Sequence, residues 1–333
     1  MEFKTRNVNS ALDEGFWKIK VFGVRETSRN GEVIRIPEPV MTTYEHPTER
    51  VLFWPARDAN PVFHLMESLW MLAGRDDVAF VEYFNSRMRN FSDDGVVLNG
   101  AYGHRWRNRF GHDQLTQLID HLSSTPDTRR AVLTMWGVEE DLAQVETSKD
   151  VCCNTQCFFE IQGGRLNMTV LNRSNDMIWG AYGANAVHFS VLQEFIATAV
   201  GVPVGVYRQF SHNLHMYTEL YDYGKYVDTP PDVTAFDAYL SNTVKPYQLC
   251  STTWKQWMYD CELFCKDPFA DPTLRYYDPF FSGVAHPLAM VVKTRKEKSG
   301  DGRKWASMCV AEDWRLATEQ WIDRREAAKG NVR

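Results

Sequence analysis

A short central stretch of the sequence holds side chains that together could modify a phosphorylated ring compound. Cys153 precedes Arg173 by 20 residues, and Asn185 precedes His215 by 30 residues. A thiol attacks carbon as the thiolate, which a nearby cation stabilises. Guanidinium groups bind phosphate through paired hydrogen bonds, and a planar amide can read the edge of a base. The pattern therefore predicts a nucleophilic thiol beside a nucleotide site.

The composition of the chain limits the classes of function. The 333 residues are 44% hydrophobic and 24% charged, with a formal net charge of −6. This is typical of a globular protein, and the mild acidic balance argues against a nucleic-acid binder. The sequence contains neither an apolar stretch long enough to span a membrane nor a signal peptide. We therefore expect a cytoplasmic protein (host cytoplasm if a phage encodes it) with no membrane or nucleic-acid partner.

The cysteines and histidines do not form a metal-binding pattern. Seven cysteines in a chain of this length indicate reduced thiols rather than a disulfide framework. Cys261 and Cys265 lack nearby ligand partners and are interpreted as buried thiols. His212 and His215 are three residues apart, whereas the zinc-binding helix motif has a spacing of four with an intervening Glu. The sequence predicts no metal site.

Elements near the N-terminus must position two charged side chains. Residues 17–37 are predicted to form two strands around an Asn-Gly turn, with Arg29 at its tip. Residues 60–74 are predicted to form a buried helix, because Pro opens the segment and Gly closes it. Glu67 is then a carboxylate within an apolar helix, so it is either paired structurally or kept for chemistry.

Further elements surround the cysteine. Arg129 and Arg130 stand just before an apolar run, Arg173 follows a predicted strand, and Asn185 opens a segment with helical apolar spacing that ends at Gly201. The predicted strands cover residues 131–136, 157–161, 166–171 and 204–210, and the predicted helix covers residues 185–200.

The C-terminal part is predicted to add an extension to a core of residues 15–290. The charged run 293–304 is expected to be an exposed loop. Residues 305–325 have enough apolar positions for a docked helix, and residues 327–333 are expected to be frayed. With no boundary detected, the chain is predicted to be a single α+β domain over residues 1–333.

Several features occur in the order found in the thymidylate synthase family, which this chain resembles over residues 15–290. The family includes phage deoxynucleotide hydroxymethylases and cytidylate hydroxymethylases. The resemblance implies an α+β fold with a large mixed β-sheet flanked by helices, and a homodimer formed through packed sheets. The features are Glu-x-Leu-Trp at 67–70, Tyr-Gly-x-x-Trp at 102–106, Arg-Arg at 129–130, Cys153, Arg-Ser-x-Asp at 173–176, Asn185, and His-x-Tyr at 215–217.

The resemblance implies roles for the reactive groups. Cys153 resembles the nucleophile that adds to C6 of the pyrimidine, and Cys152 stands where the family usually has proline. Addition at C6 lets C5 attack the one-carbon unit of 5,10-methylenetetrahydrofolate, a step that suits a thiolate of low pKa. Glu67 resembles the carboxylate that relays protons to O4 through water. Tyr102 resembles the residue associated with proton removal from C5.

Four arginines resemble the ligands of the substrate phosphate. Arg29 and Arg173 correspond to those of one subunit, with Arg25 as an alternative to Arg29. Arg129 and Arg130 correspond to the pair that reaches the site of the partner subunit in the homodimer. Together they would neutralise a dianionic phosphate.

Other polar residues resemble further ligands. Ser174 is expected at the phosphate, and His215 and Tyr217 are expected at the ribose hydroxyl. Asp176 resembles the carboxylate that holds the folate pterin. Its alternative role is to cap the start of a helix.

The choice of base depends mainly on Asn185. An amide can accept from N3–H of uracil and donate to O4, whereas relatives specific for cytosine use aspartate there. A flipped amide could instead read cytosine, and neighbours such as His188 would set the flip. The family pattern also has one residue fewer between Gly180 and Asn185.

Two departures from thymidylate synthases concern the product. Residues 84–91 contain no Trp, and the chain ends in a charged extension rather than a short apolar tail. Both favour water over hydride as the acceptor. The sequence thus predicts a hydroxymethylase acting on a pyrimidine nucleoside monophosphate, most simply dUMP. The alternatives are a thymidylate synthase, a dCMP or CMP hydroxymethylase, and an inactive nucleotide- or RNA-binding relative.

Overall fold

Ten strands form two sheets in the computed structural model, which describes residues 1–219, 233–273 and 276–330. The large sheet has the order β1-β4-β9-β7-β6-β5, and the small sheet has the order β2-β3-β10-β8. The strands are β1 (Glu2–Thr5), β2 (Val24–Ser28), β3 (Gly31–Arg35), β4 (Val40–Tyr44), β5 (Val132–Thr134), β6 (Asn154–Gln162), β7 (Arg165–Asn172), β8 (Asn175–Asp176), β9 (Val204–Ser211) and β10 (Leu214–Tyr217).

Helices surround these sheets. They are α1 (Val8–Phe22), α2 (Pro61–Leu72), α3 (Val78–Phe84), α4 (Tyr102–His104), α5 (Gln114–Ser124), α6 (Asn185–Val200), α7 (Trp254–Lys266), α8 (His286–Glu297), α9 (Gly302–Ser307) and α10 (Glu312–Gly330). Shorter helical turns span Pro55–Arg57, Ser86–Phe91, Arg105–Arg109, Val138–Leu142, Met177–Ala184, Val233–Ala235 and Phe281–Ala285. Within the described residues, no helix is both long and apolar enough to cross a membrane.

The large sheet is mixed, as the family resemblance implied. β7 pairs with β9 in parallel and with β6 antiparallel, which places the ends of β7 and β9 side by side. Residues alternate between buried and partly buried along β9, so one face of that strand lies in the core. α6 packs against β7 and β9 and ends at Gly201, whose φ of +83° suits glycine. These elements confirm the predicted α+β class, and the predicted strands and helix around Cys153.

The small sheet was not predicted. β8 is two residues long, and it pairs in parallel with β10 directly after Arg173 and Ser174. β10 in turn pairs with β3 of the N-terminal hairpin. Because of these pairings, the hairpin and the segment around His215 lie beside the end of β7.

The predicted N-terminal hairpin is confirmed as β2 and β3, but the predicted start of its first strand was wrong. Residues 17–22 belong to α1, and only the part from Val24 onward forms the hairpin. The reason is helical periodicity, since buried apolar residues recur at Leu12, Phe16 and Ile19. The Asn7 side chain caps the helix by accepting from two backbone N–H groups. The predicted helix at 60–74 is confirmed as α2.

The predicted C-terminal loop was also wrong. α8 continues through Glu297 and α9 begins at Gly302, so helices take up most of the charged run 293–304. The charges lie on a helical surface whose other side buries Val291 and Val292. Two helices, α9 and α10, replace the single helix expected at 305–325. α10 extends to Gly330, so residues 327–330 are helical rather than frayed, and residues 331–333 lie outside the described residues.

One large hydrophobic core extends from Phe3 near the N-terminus to Ala317 in α10. A small separate cluster of Val291, Ala306, Trp321 and Ile322 lies among α8, α9 and α10. The continuity of the large core is what a single domain requires. The division into core and extension stays a prediction.

Candidate active site

Cys153 lies immediately before β6, where two cavities meet. We call the first the inner cavity, about 260 Å³, whose lining includes Glu67, Tyr102, Asp176, Trp179, Asn185 and His188. We call the second the outer cavity, about 620 Å³, whose lining includes Arg29, Arg35, Lys149, Arg173, His215 and Tyr217. Four residues line both cavities: Phe91, Asp150, Cys153 and Ser174. A molecule that fills both cavities would therefore pass the thiol.

Arg173 holds the segment that carries the thiol. Its Nε donates to the carbonyl of Cys152 at 2.7 Å, and its Nη2 donates to that of Val151 at 2.9 Å. The same Nη2 lies 3.7 Å from Cys153 Sγ. The strand end of β7 supplies this position, because the backbone N–H of Arg173 also donates to the carbonyl of Cys153. The structure thus brings together the cysteine and arginine that the spacing predicted.

The expected low pKa of the thiol needs correction. Burial raises the pKa of Cys153, and the Arg173 guanidinium opposes this rise while Asp150 adds to it. The reason is that Arg173 also hydrogen-bonds two backbone carbonyls, so its charge does not outweigh the loss of hydration around a charged sulfur. In the free protein, the site therefore favours the neutral thiol.

Cys152 is set apart from its neighbour. It is buried, and its Sγ donates to the carbonyl of Gly100 at 3.6 Å. It lines neither the inner nor the outer cavity. The geometry therefore favours Cys153 as the nucleophile.

The outer cavity collects most of the predicted phosphate and ribose ligands. Arg29 reaches it from the β2–β3 hairpin, while His215 and Tyr217 reach it from β10. The rings of His215 and Tyr217 contact each other edge to face, with their centroids 5.1 Å apart. Arg25 pairs with Glu32 and is not part of the lining, which favours Arg29.

Two cations of the outer cavity were missed by sequence reasoning. Arg35 lines it while donating to both carboxylate oxygens of Glu26, at 2.9 and 2.7 Å. Lys149 lines it from the segment before Cys153. A signal existed for Lys149, because it stands four residues before Cys153, the predicted nucleophile.

Arg129 and Arg130 are not brought to Cys153 within one chain. Both are exposed, and Arg129 borders a separate surface cavity together with Phe158 and Glu160. Neither lines the inner or outer cavity. Their predicted role in the site of a partner subunit stays a prediction.

The inner cavity contains the predicted acid–base residues. Glu67 of α2 and His188 of α6 approach each other, with Oε2 and Nε2 3.1 Å apart. Tyr102 Oη accepts from the backbone N–H of Asn154 at 3.3 Å, and burial raises the pKa of this phenol well above its usual range. Tyr102 is therefore protonated at neutral pH.

Asp176 has the capping role that was its alternative interpretation. Its Oδ1 accepts from the backbone N–H groups of Ile178 and Trp179, both at 2.7 Å. Burial raises the pKa of this carboxyl. Asp176 also lines the inner cavity beside the indole of Trp179. The cap does not conflict with the predicted contact with folate, which stays a prediction.

The segment 84–91 forms one wall of the inner cavity. Residues Ser86–Phe91 make a tight helical turn from which Met88 and Phe91 face the cavity. Two tryptophans of other elements, Trp70 and Trp179, complete the apolar lining. The wall that lacks tryptophan therefore borders the cavity that contains Glu67.

Asp150 is a site residue that the sequence did not single out. It lines both cavities, and its Oδ2 accepts from the backbone N–H of Gly100 at 2.7 Å. Burial raises its pKa to about 6, with Asp93 and Asp141 adding to the rise and Arg105 opposing it. Its position three residues before Cys153 was the one available signal.

We expect Asp150→Asn to stabilise the protein at neutral pH. The native state holds the Asp150 proton more tightly than the unfolded chain, so this group lowers stability as pH rises from about 4 to about 6. The amide can keep the bond from Gly100 without the charge. At pH 7.5 the free energy of unfolding should rise by about 1–2 kcal/mol after discounting for solvent in the cavity, with no gain at pH 4. Urea unfolding at both pH values measures this, and an equal change at both would contradict it.

Similarity to known proteins identifies this chain as an enzyme that transfers a one-carbon group. The chain belongs to the thymidylate synthase family, whose model, described as thymidylate synthase, matches residues 23–228. A deoxyuridylate hydroxymethyltransferase of Pseudomonas phage M6 is 48% identical over 336 residues, covering 98% of this chain and 94% of the relative.

Two more distant relatives have names that differ from each other. A deoxyuridylate hydroxymethyltransferase of Bacillus phage SP01 is 41% identical over 204 residues, covering 58% of this chain and 52% of the relative. A thymidylate synthase of Symbiobacterium thermophilum is 29% identical over 171 residues, covering 47% of this chain and 59% of the relative. These findings confirm the family and the hydroxymethylase branch to which the motifs pointed.

Proposed function

We propose that this protein converts dUMP to 5-hydroxymethyl-dUMP, with 5,10-methylenetetrahydrofolate as the one-carbon donor. The observation that carries the proposal is its similarity along nearly the whole chain to a protein named deoxyuridylate hydroxymethyltransferase. All seven cysteines are free, which suits the reducing cytoplasm that we propose as its location.

The two cavities suit the two ends of the nucleotide. We propose that the phosphate binds in the outer cavity to Arg29, Arg173 and Ser174, since arginines bind phosphate oxygens in pairs. The ribose hydroxyl would then meet His215 and Tyr217. Because Cys153 and Ser174 line both cavities, the base would extend past the thiol into the inner cavity.

A homodimer would complete the phosphate site. Val132 and Phe158 face solvent on the large sheet, with 37% and 40% of their surfaces exposed. Arg129 and Arg130 lie next to this apolar face. We propose that a second copy covers it, so that Arg129 and Arg130 of the partner subunit reach the phosphate.

The inner cavity suits the folate. Trp70, Met88 and Trp179 provide apolar surfaces on which a flat ring system can pack, and the Asp176 carboxylate can accept from ring N–H groups. The folate supplies the one-carbon unit when bound. The residues of this chain would orient it against C5 of the base.

The protein groups would then act on the nucleotide in turn. The Cys153 sulfur adds to C6 as a thiolate, so the thiol must lose its proton when the substrate binds. The positive charge of Arg173 favours this loss. Glu67, beside His188, can exchange a proton with O4 through water. Protonated Tyr102 can hold the water that removes the C5 proton. Water then adds to the one-carbon group on C5 and supplies the hydroxyl. Expulsion of the Cys153 thiolate from C6 at the end restores the ring.

We expect a direct product analysis to identify the reaction. The protein is incubated with dUMP, dCMP, UMP or CMP together with methylenetetrahydrofolate, and the products are identified by mass. We expect 5-hydroxymethyl-dUMP with tetrahydrofolate as the released folate. The formation of dTMP with dihydrofolate would contradict the hydroxymethylase proposal and indicate a thymidylate synthase. Turnover of a cytosine nucleotide alone would instead contradict the choice of base.

A further inference from the structure

A chain of buried amides leads from a backbone carbonyl to Asn185. Gln209 of β9 donates from Nε2 to the carbonyl of Ala181 at 2.9 Å and to Tyr44 Oη at 3.1 Å. A backbone carbonyl can only accept a hydrogen bond, so the nitrogen end of the Gln209 amide must face it. Tyr44 Oη also donates to the Ala181 carbonyl, which leaves the hydroxyl oxygen free to accept from Gln209. The orientation of the Gln209 amide is therefore determined by chemistry.

The orientation of each later amide is set by its hydrogen bond to the amide before it. Gln209 Oε1 accepts from Asn175 Nδ2 at 2.8 Å, and Asn175 Nδ2 also donates to Ser211 Oγ at 3.1 Å. Both hydrogens of the Asn175 amide are then used, so its Oδ1 faces the other way. Asn185 Nδ2 donates to this Oδ1 at 3.0 Å. Turning the Asn185 amide alone would bring two oxygens into contact.

The surroundings preserve this series, which we call the amide relay: Gln209, Asn175 and Asn185. Asn175 and Gln209 are 2% and 1% exposed, so water cannot replace a lost partner. Gly180 makes room for the relay, because a Cβ there would lie 2.6 Å from Asn175 Oδ1. Among the described residues, no hydrogen bond joins His188 to Asn185. The neighbour that sets the amide is thus Asn175 rather than the expected His188.

The outer end of the relay matches uracil. Asn185 Oδ1, which also accepts from Asn154 Nδ2 at 3.3 Å, has a second lone pair, and Asn185 Nδ2 has a second hydrogen. Uracil offers a donor at N3 and an acceptor at O4, so both groups would be paired. Cytosine offers an acceptor at N3 and a donor at N4, so both contacts would be repulsive.

We propose that Gln209 and Asn175 are positioning residues that lock the Asn185 amide in the orientation that accepts uracil and rejects cytosine. This inference rests on the proposed function in one respect, namely that Asn185 contacts the base. Gln209 would then influence base selection without touching the base, through its hydrogen bond to Asn175 and the bond of Asn175 to Asn185.

The test is the selectivity of Gln209→Met, expressed as the preference ratio of dUMP over dCMP. This ratio is measured in the association constants (1/Kd) and in kcat/KM. Met fills a similar volume but leaves the Asn175 amide free to turn. We expect the ratio to fall on the order of tenfold or more. The Asn185 amide could then turn and hydrogen-bond cytosine instead of repelling it. Gln209→Glu should retain most of the selectivity at low pH, since a neutral carboxyl can donate to the Ala181 carbonyl and accept from Asn175.

Gln193→Met is the matched control. Gln193 is also buried and donates to two backbone carbonyls, those of Leu166 and Val206, but it does not contact the relay. We expect its dUMP to dCMP ratio to stay within twofold of wild type, whatever its loss of stability. If Gln209→Met does not fold, Asn175→Ser breaks the same relay one step closer to the site.

The outcomes separate the inference from the proposed function. An unchanged ratio in folded Gln209→Met or Asn175→Ser would overturn the inference, as would an equal fall in Gln193→Met. A wild-type preference for dCMP would overturn it too. If the wild type prefers dUMP but forms dTMP, the hydroxymethylase proposal fails while a fall in the ratio still supports the relay, because the ratio does not depend on the product.

Discussion

Replacing Cys153 with serine should abolish turnover, by at least about 10⁴-fold in kcat, because an alcohol is too weak a nucleophile to add to C6. Cys153 is the cysteine that lines both cavities, and Arg173 lies 3.7 Å from its sulfur. Turnover is measured with dUMP and methylenetetrahydrofolate. Covalent capture is measured separately, by the mass of the adduct formed with 5-fluoro-dUMP and folate.

Cys152→Ser provides the matched control. Its thiol is buried and donates to the Gly100 carbonyl, a bond that a serine hydroxyl can also make. We expect this variant to form the adduct and to keep turnover within a few-fold of wild type. Adduct formation by Cys153→Ser, together with its loss in Cys152→Ser, would show that the neighbouring thiol is the nucleophile. Failure of the wild type to form any adduct would indicate an inactive relative.

Replacing Arg173 with alanine is expected to be the second most damaging change. Arg173 holds the carbonyls of Val151 and Cys152, lies beside the sulfur and lines the proposed phosphate cavity. Its loss removes two charge-assisted hydrogen bonds and one proposed phosphate ligand, so kcat/KM for dUMP should fall roughly 10³-fold or more. We expect both a higher KM and a lower kcat.

Thiol reactivity gives an independent measure of the same arginine. Since Arg173 lowers the pKa of Cys153 against the effect of burial, Arg173→Ala should raise that pKa further. The pH profile of Cys153 alkylation should therefore move to higher pH. Arg173→Lys should recover part of this shift, because it keeps the charge, but little of the phosphate affinity, because it loses the paired geometry. Arg165→Ala, at an exposed arginine after the β6–β7 turn, should leave both measurements unchanged.

If alkylation of Arg173→Ala follows the wild-type pH profile, the arginine does not stabilise the thiolate. A lower kcat/KM would then have to come from phosphate binding or from the position of residues 151–153 alone. Binding of deoxyuridine, which has no phosphate, separates these two contributions. If Arg173 acts only as a phosphate ligand, its loss weakens binding of dUMP alone. If it acts by holding the backbone of residues 151–153, its loss weakens binding of both compounds.

Local patterns in the sequence predicted much of the fold. α2 and α6 appeared as apolar residues at helical spacing between stop signals, and the strands around Cys153 appeared as apolar runs. The same approach failed for residues 17–22 and 293–297. In both places a helix buries one face and leaves aromatic or charged residues on the other, and the predictions weighed the exposed residues too heavily.

By itself, the sequence determined the family and predicted the nucleophile and the order of the candidate site residues, because motifs and their spacing are properties of the chain alone. The tertiary structure decided what depends on contacts between distant segments. Burial, rather than residue type, sets the direction of the Cys153 pKa. The Asn185 amide at the start of α6 is oriented from Gln209 on β9, through Asn175 on β8. The orientation of an amide depends on its hydrogen-bond partners, and for Asn185 those partners come together only in the folded chain.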